Sequence, residues 1–509
     1  MQQAVRSIPQ NQPRFPVLPR VALVAAVVLG GLAGCDAPPL TDPRGVPKPY
    51  EGVRLTVSCP GAAFAEAIAP IANTWGVRTG AVVTVAPAPM TPTDASDVGV
   101  IPTGALGEWG EAGLLAPVPN KVRTGEQYQW QGLLPPYAER LSEWGGQTLA
   151  VPLTGDGYVL VYRADRFAEK APADEFRARY GHAPGAPATW EEFADLAELF
   201  ARLDKRPSLP PLPSDPDRLF DLFCRVAASS DRPALNDAEL AARTARDRDA
   251  LAFQFSVVTG RPRIQTDGFQ TAARWLDRLR TARALPAPAP GGSDDPVPAL
   301  ADGRAVLALL TLDQLARLPR ENGTVAARFG LASVPGTRTY RDPERPKGAS
   351  AQLNYVPYFS GGRLGVVRTR CPNPDAAFDL LAELGGPARS AELIATPGLG
   401  AGPTRGAHLD RDRLVLWLGY GFDPDRSKLL QDVLRQNVGQ TVKNPTFGPR
   451  GPDRDALVRA AAEPLRKLAA GTASPGDALK QIEAGWDAID ANVPPATLIR
   501  WRQRGAGLN

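Results

Sequence analysis

Few residues in this 509-residue chain could do covalent or metal chemistry on their own. There are two histidines, His182 and His408, and four cysteines, Cys35, Cys59, Cys224 and Cys371. Two histidines exclude a His₃ or His-Glu-x-x-His zinc site, and a Ser-His-Asp triad with them in practice. Both lie in Gly/Pro-rich surroundings and read as exposed. The cysteines are far apart and form no Cys-x-x-Cys pair, so no metal cluster is expected. One disulfide is open to Cys59, Cys224 and Cys371, but buried free thiols are the simpler expectation. The sequence has no Gly-x-x-x-x-Gly-Lys phosphate loop, no Gly-x-Ser-x-Gly elbow and no dinucleotide Gly-x-Gly-x-x-Gly with its acid. A glycosidase needs only two carboxylates, and among 54 Asp and Glu nothing marks a pair. No catalytic residue, cofactor or metal site is therefore assigned. Arg and Asp alternate between Arg243 and Arg248, as on a solvated helix face and unlike a nucleic-acid groove.

The elements that must position any site begin after an unusual N-terminus. Arg6, Arg14 and Arg20 precede an apolar run from Val21 to Gly34. Fourteen residues are too few to span a bilayer but suit the core of an export signal. The run closes in Leu32-Ala33-Gly34-Cys35, which resembles the lipobox of bacterial lipoproteins. That resemblance implies removal of residues 1–34, acylation of Cys35 and a place at the membrane on the periplasmic or extracellular side. The three arginines leave with the signal, so a formal net charge of +4 becomes +1. The chain then offers no basic surface for a polyanion. Residues 35–51 are proline-rich and read as a tether.

With 43% hydrophobic residues, among them 16 Phe and 9 Trp, the remainder can bury large cores. Length alone suggests about three domains. Arg54 to Cys59 reads as a strand. Gly61 opens a helix with Phe64, Ile68, Ile71 and Trp75 on one face, Gly80 stops it, and Ala81 to Val85 is a second strand. This is a βαβ unit, hence parallel. Asp97 to Pro102 is a third strand; Leu149 to Pro152 and Tyr158 to Tyr162 are β-like and bracket Leu153-Thr154-Gly155-Asp156-Gly157. Thr189 and Glu192 have capping-box spacing. Helices are predicted over 218–229, 237–257 and 267–283, then 374–385, 387–395, 425–437 and 453–470. Ser474-Pro475 starts one more, with Ala478, Ile482, Trp486 and Ile489 facing inward. Trp75, Trp190 and Trp486 read as structural.

The order of short segments is more specific than any one of them. Gly113-Leu-Leu-Ala-Pro117, Gly145 to Gly157, Val161 to Phe167 and Pro187-Ala-Thr-Trp-Glu-Glu-Phe193 occur in sequence. Leu300 to Val306, Phe329 to Gly336, Gly361-Gly362, Asp375 to Leu381 and Gly402-Pro-Thr-Arg405 follow. This order resembles the family 1 extracellular solute-binding proteins, the maltose-binding-protein-like components of ABC importers. The resemblance implies an α/β fold of two lobes, each a mainly parallel sheet flanked by helices, joined by hinge strands, with ligand in the cleft. It maps one lobe to 52–153 and 359–405 and the other to 154–358 and 406–509. It also implies a non-enzymatic receptor that closes on a solute, expected to be a carbohydrate, and passes it as a monomer to a membrane permease. Cleft candidates are Thr103 and Trp109 after the third strand, and Thr154, Asp156 and Tyr158 at the first crossing. Tyr355, Tyr358 and Phe359 precede the second, and Trp417 and Tyr420 lie near the return helix. Sugars are recognised by aromatic faces together with carboxylates and amides. The stretch 204–265 is longer and more proline-split than the family implies. Two other readings stand beside the receptor: a lipid-anchored glycan hydrolase using paired acids, and a binding scaffold without transport.

Overall fold

The computed structural model describes residues 48–287, 293–340, 342 and 349–508. The export signal, Cys35 and the tether up to Pro47 lie outside them.

Two sheets organise the described chain. The first has five strands, in the order Val82–Ala86, Arg54–Ser58, Val98–Pro102, Arg363–Val367, Val151–Thr154. Its first three strands are parallel, as the βαβ spacing requires, and the last two join antiparallel. The helix Ala62–Thr79 lies between the first two strands and buries Phe64, Ile68, Ile71 and Trp75. Gly80 ends it at φ 86°, where a side chain would be strained. Trp75 donates its indole N–H to Asp379, which ties this helix to Pro374–Gly385.

The second sheet has three strands, in the order Phe329–Ala332, Tyr158–Arg163, Leu307–Thr311. Both pairings are antiparallel, which corrects the expectation of a mainly parallel sheet in each lobe. The reason is topological. Tyr162 pairs with Leu307, so the helical stretch between them leaves and returns at the same end of the sheet. A parallel neighbour would have required it to return at the opposite end.

That stretch is a helical layer. Trp190–Asp204, Pro216–Asp231 and Asp267–Thr281 pack with Arg454–Ala470 and Pro475–Asp490 around Phe200, Phe220, Phe269 and Trp486. Thr189 caps the first helix by accepting the Glu192 N–H. The Glu192 carboxylate takes the Ala188 N–H, one residue earlier than a reciprocal box would have it. The helix predicted over 237–257 stops at Thr244. Asp247 and Asp249 turn their carboxylates onto backbone N–H groups, of Asp249 and Val257 respectively, and this local bonding competes with helix. Cys59, Cys224 and Cys371 are buried and unpaired.

Candidate functional site

Three passages of chain between the two sheets run side by side. The first is Thr154 to Tyr158, the second Phe359 to Arg363, and the third Gly402 to Gly406. Gly155 and Gly402 exchange backbone hydrogen bonds of 2.8 and 3.0 Å. A Cβ on Gly361 would lie 2.5 Å from the Asp156 carboxylate, and one on Gly362 would lie 2.6 Å from the Thr154 carbonyl oxygen. Glycine is needed here because backbone packs against backbone.

A cavity of about 420 Å³ opens against these passages. Of the sequence-predicted residues, Thr103, Thr154, Asp156, Tyr158, Tyr358 and Phe359 line it. Thr103 donates its hydroxyl to the Ser360 and Gly361 carbonyls at 3.1 Å, which fastens the third strand to the second passage. Four other predicted residues lie away from the wall. Trp109 packs with Leu106, Leu115 and Trp144, and the Arg368 guanidinium stands 5.2 Å over its ring. Tyr355 donates to the Asn437 carbonyl. Trp417 is fully buried, donates to the His408 carbonyl at 3.1 Å and packs near Tyr420. An aromatic ring carries the same sequence signal whether it packs a core or faces a ligand, and these pack a core.

The centre of the cavity wall is an ionic cluster absent from the sequence expectation. Arg225, on the helix Pro216–Asp231, donates to Asp156 at 2.6 Å, Asp221 at 2.8 Å and the Tyr358 carbonyl at 2.9 Å. Its guanidinium lies 3.8 Å over the Tyr158 ring, a cation–π contact. Ser360 donates its hydroxyl to the second Asp221 oxygen. All three charged side chains are more than nine-tenths buried. Burial holds the Asp221 carboxyl above its ordinary range although Arg225 opposes it. Burial also raises the Tyr158 and Tyr358 phenols, so both stay protonated. The sequence does carry a trace of this cluster: Asp221 and Arg225 are an i, i+4 pair in the mostly apolar run from Leu219 to Ala228.

His408 corrects another expectation, since it is buried rather than exposed. Its Nδ1 accepts the backbone N–H groups of Thr404 and Arg405 at 3.3 and 3.4 Å. The proton therefore sits on Nε2, which faces Ser390 Oγ at 3.1 Å. Burial, with Arg405 and Arg413 nearby, lowers its pKa to about 3. The unfolded chain binds this proton near pH 6.5 and the folded chain does not, so the associated stability is complete above 6.5 and is lost toward pH 3. Urea unfolding should show His408 costing up to roughly 1.4 kcal/mol per pH unit below pH 6. His408→Gln should flatten that part of the curve; parallel curves for the two proteins would refute it.

The fold and its cleft define a class: two-lobed binding proteins in which a solute lies between α/β lobes. Solved structures with this fold include the sugar-binding protein MalE of Xanthomonas citri, at TM-score 0.60 and 18% identity over 86% of this chain and 98% of that one. Maltose-bound MalE3 of T. maritima gives 0.58 and 14%, over 86% and 100%. The Listeria monocytogenes substrate-binding protein Lmo0181, in complex with cycloalternan, gives 0.59 and 14%, over 86% and 98%. The chain belongs to the bacterial extracellular solute-binding protein family, whose model matches residues 79–411. No curated protein matches the sequence.

Proposed function

We propose that this protein is the receptor of an ABC importer, capturing a carbohydrate-like solute by closure of two lobes and performing no chemistry on it. The observation that carries the reading is the polar cavity set against three glycine-bearing passages, which is where a ligand would hold the lobes together. Thr103, Thr154, Asp156, Tyr158, Tyr358 and Phe359 are the proposed contacts, with lobes of 52–153 plus 359–405 and 154–358 plus 406–509. The neighbouring folds support a sugar, since their structures are described with maltose and cycloalternan. Hydrolysis is disfavoured because Asp156 and Asp221, the two acids that approach one another, share Arg225 rather than standing free. Acyl chains on Cys35 would hold the receptor, as a monomer without cofactor, at the outer side of the membrane beside its permease. Stable anchoring would take more than one chain.

The test is a titration of the purified protein with mono- and oligosaccharides, followed calorimetrically and by small-angle scattering. Saturable heat, a smaller radius of gyration and intact sugar are the expected results. Turnover of any glycan, or saturation without compaction, would sink the receptor reading. Metabolic labelling with palmitate should mark the wild type and fail to mark Cys35→Ser; labelling of both would remove the anchor.

A further inference from the structure

Four arginines line the cavity, and three are accounted for. Arg454 is bonded by Asp217 and Asp455. Arg450 donates to the carbonyls of Arg140, Leu141 and Glu143 and so serves as an internal brace. Arg218 is exposed to solvent. Arg363 is different. It is partly buried, and among the described residues no hydrogen bond, ion pair or ring contact is seen for its guanidinium. Burial alone lowers its pKa, with no acid near enough to oppose that.

Its position on the sheet adds a second observation. Arg363 pairs with Thr154 while Leu364 pairs with Pro152, so the ladder is interrupted beside it. Such irregularities re-aim a side chain and are common next to binding sites. The acids on the wall are also engaged elsewhere. Asp156 and Asp221 serve Arg225, Asp217 serves Arg454, Asp215 accepts the Arg218 backbone N–H, and Asp313 accepts the Thr311 hydroxyl. Phe220, Tyr358 and Phe359 also line the cavity, while one face of Tyr158 is taken by Arg225. Arg363 is thus a cation of the wall that no acid of the wall engages. A partly buried guanidinium without a protein partner has its donors free for an anionic group in the cavity.

We infer that the solute carries an anionic group on its sugar frame, a carboxylate or a phosphate, and that Arg363 binds that group. This inference rests on the receptor reading and names its ligand class. A guanidinium presents two parallel N–H donors that match either anion. The test uses paired probes on the full chain: galacturonate against galactose, and glucose 6-phosphate against glucose, with the oligogalacturonides as longer members. At least one acidic probe should bind about tenfold or more tightly than its neutral parent. Arg363→Gln should abolish that preference, and Arg363→Lys should keep part of it. The ligand-free Arg363→Gln protein should melt no lower than wild type, because the substitution breaks no side-chain bond seen among the described residues. Equal affinity for acidic and neutral partners, unchanged acid affinity in Arg363→Gln, or a lower melting temperature would overturn the inference and leave the receptor reading in place. Absence of binding by both sets would overturn the carbohydrate reading, and this inference with it. Which pair shows the preference separates carboxylate from phosphate.

Discussion

Arg225→Ala destabilises the folded protein by about 3–5 kcal/mol, the cost of leaving buried carboxylates without their counter-ion. Arg225 is the only cation bonded to both Asp156 and Asp221 among the described residues. Removing it leaves two acids in a site where burial already raises the Asp221 carboxyl. It also removes the bond to the Tyr358 carbonyl and the cover over Tyr158. Replacing the whole set, as in Asp156→Asn, Asp221→Asn and Arg225→Met together, should cost less than Arg225→Ala alone, because no net charge is stranded. Urea denaturation of the wild type and the two variants checks this. A loss below about 1 kcal/mol for Arg225→Ala would mean that water already screens the cluster.

A second large effect is expected from one methyl group. A Cβ on Gly402 would lie 1.9 Å from the Asp156 carbonyl oxygen and 2.3 Å from its carbon, both rigid backbone atoms. Gly402→Ala must therefore push the first and third passages apart and break the paired hydrogen bonds between Gly155 and Gly402. Overpacking of this kind costs about 3 kcal/mol, and the lost hydrogen bonds add to it. Gly406→Ala is the control, since a Cβ there meets nothing within 4 Å. Similar melting temperatures for the two variants would show that the passages can separate freely. If Gly402→Ala folds, its affinity for solute should fall too, because Asp156 moves with the backbone.

The parts of the structure written in local chemistry could be read from the sequence. The Phe64, Ile68, Ile71 and Trp75 spacing specifies the first helix, Gly80 its end and Ser474 the cap of a later one. The glycines flanking Asp156 mark a passage where side chains do not fit. What could not be read depends on long-range pairing. Asp156 meets Arg225 from a position 69 residues away, and nothing in the intervening pattern selects that partner. The sense of the second sheet depends on where a long helical stretch re-enters, which hydrophobic periodicity does not encode. The sequence signal of Trp417 and Tyr420 is the same for a ligand face and for a core; their burial in the core is a property of their neighbours. Arg363 carries no sequence signal, because an arginine without a partner looks like any other until its surroundings are known.

The pairing of Tyr162 with Leu307 has one more consequence, concerning covalent continuity. A stretch that begins and ends on neighbouring rungs of the same ladder is a closed excursion. It may grow or shrink without adding another strand of chain between the two sheets. The helices between Tyr162 and Leu307, however large, therefore leave the number of passages unchanged. If the lobes close as proposed, the torsion falls on the glycine-bearing residues of those passages, whatever the mass that turns about them.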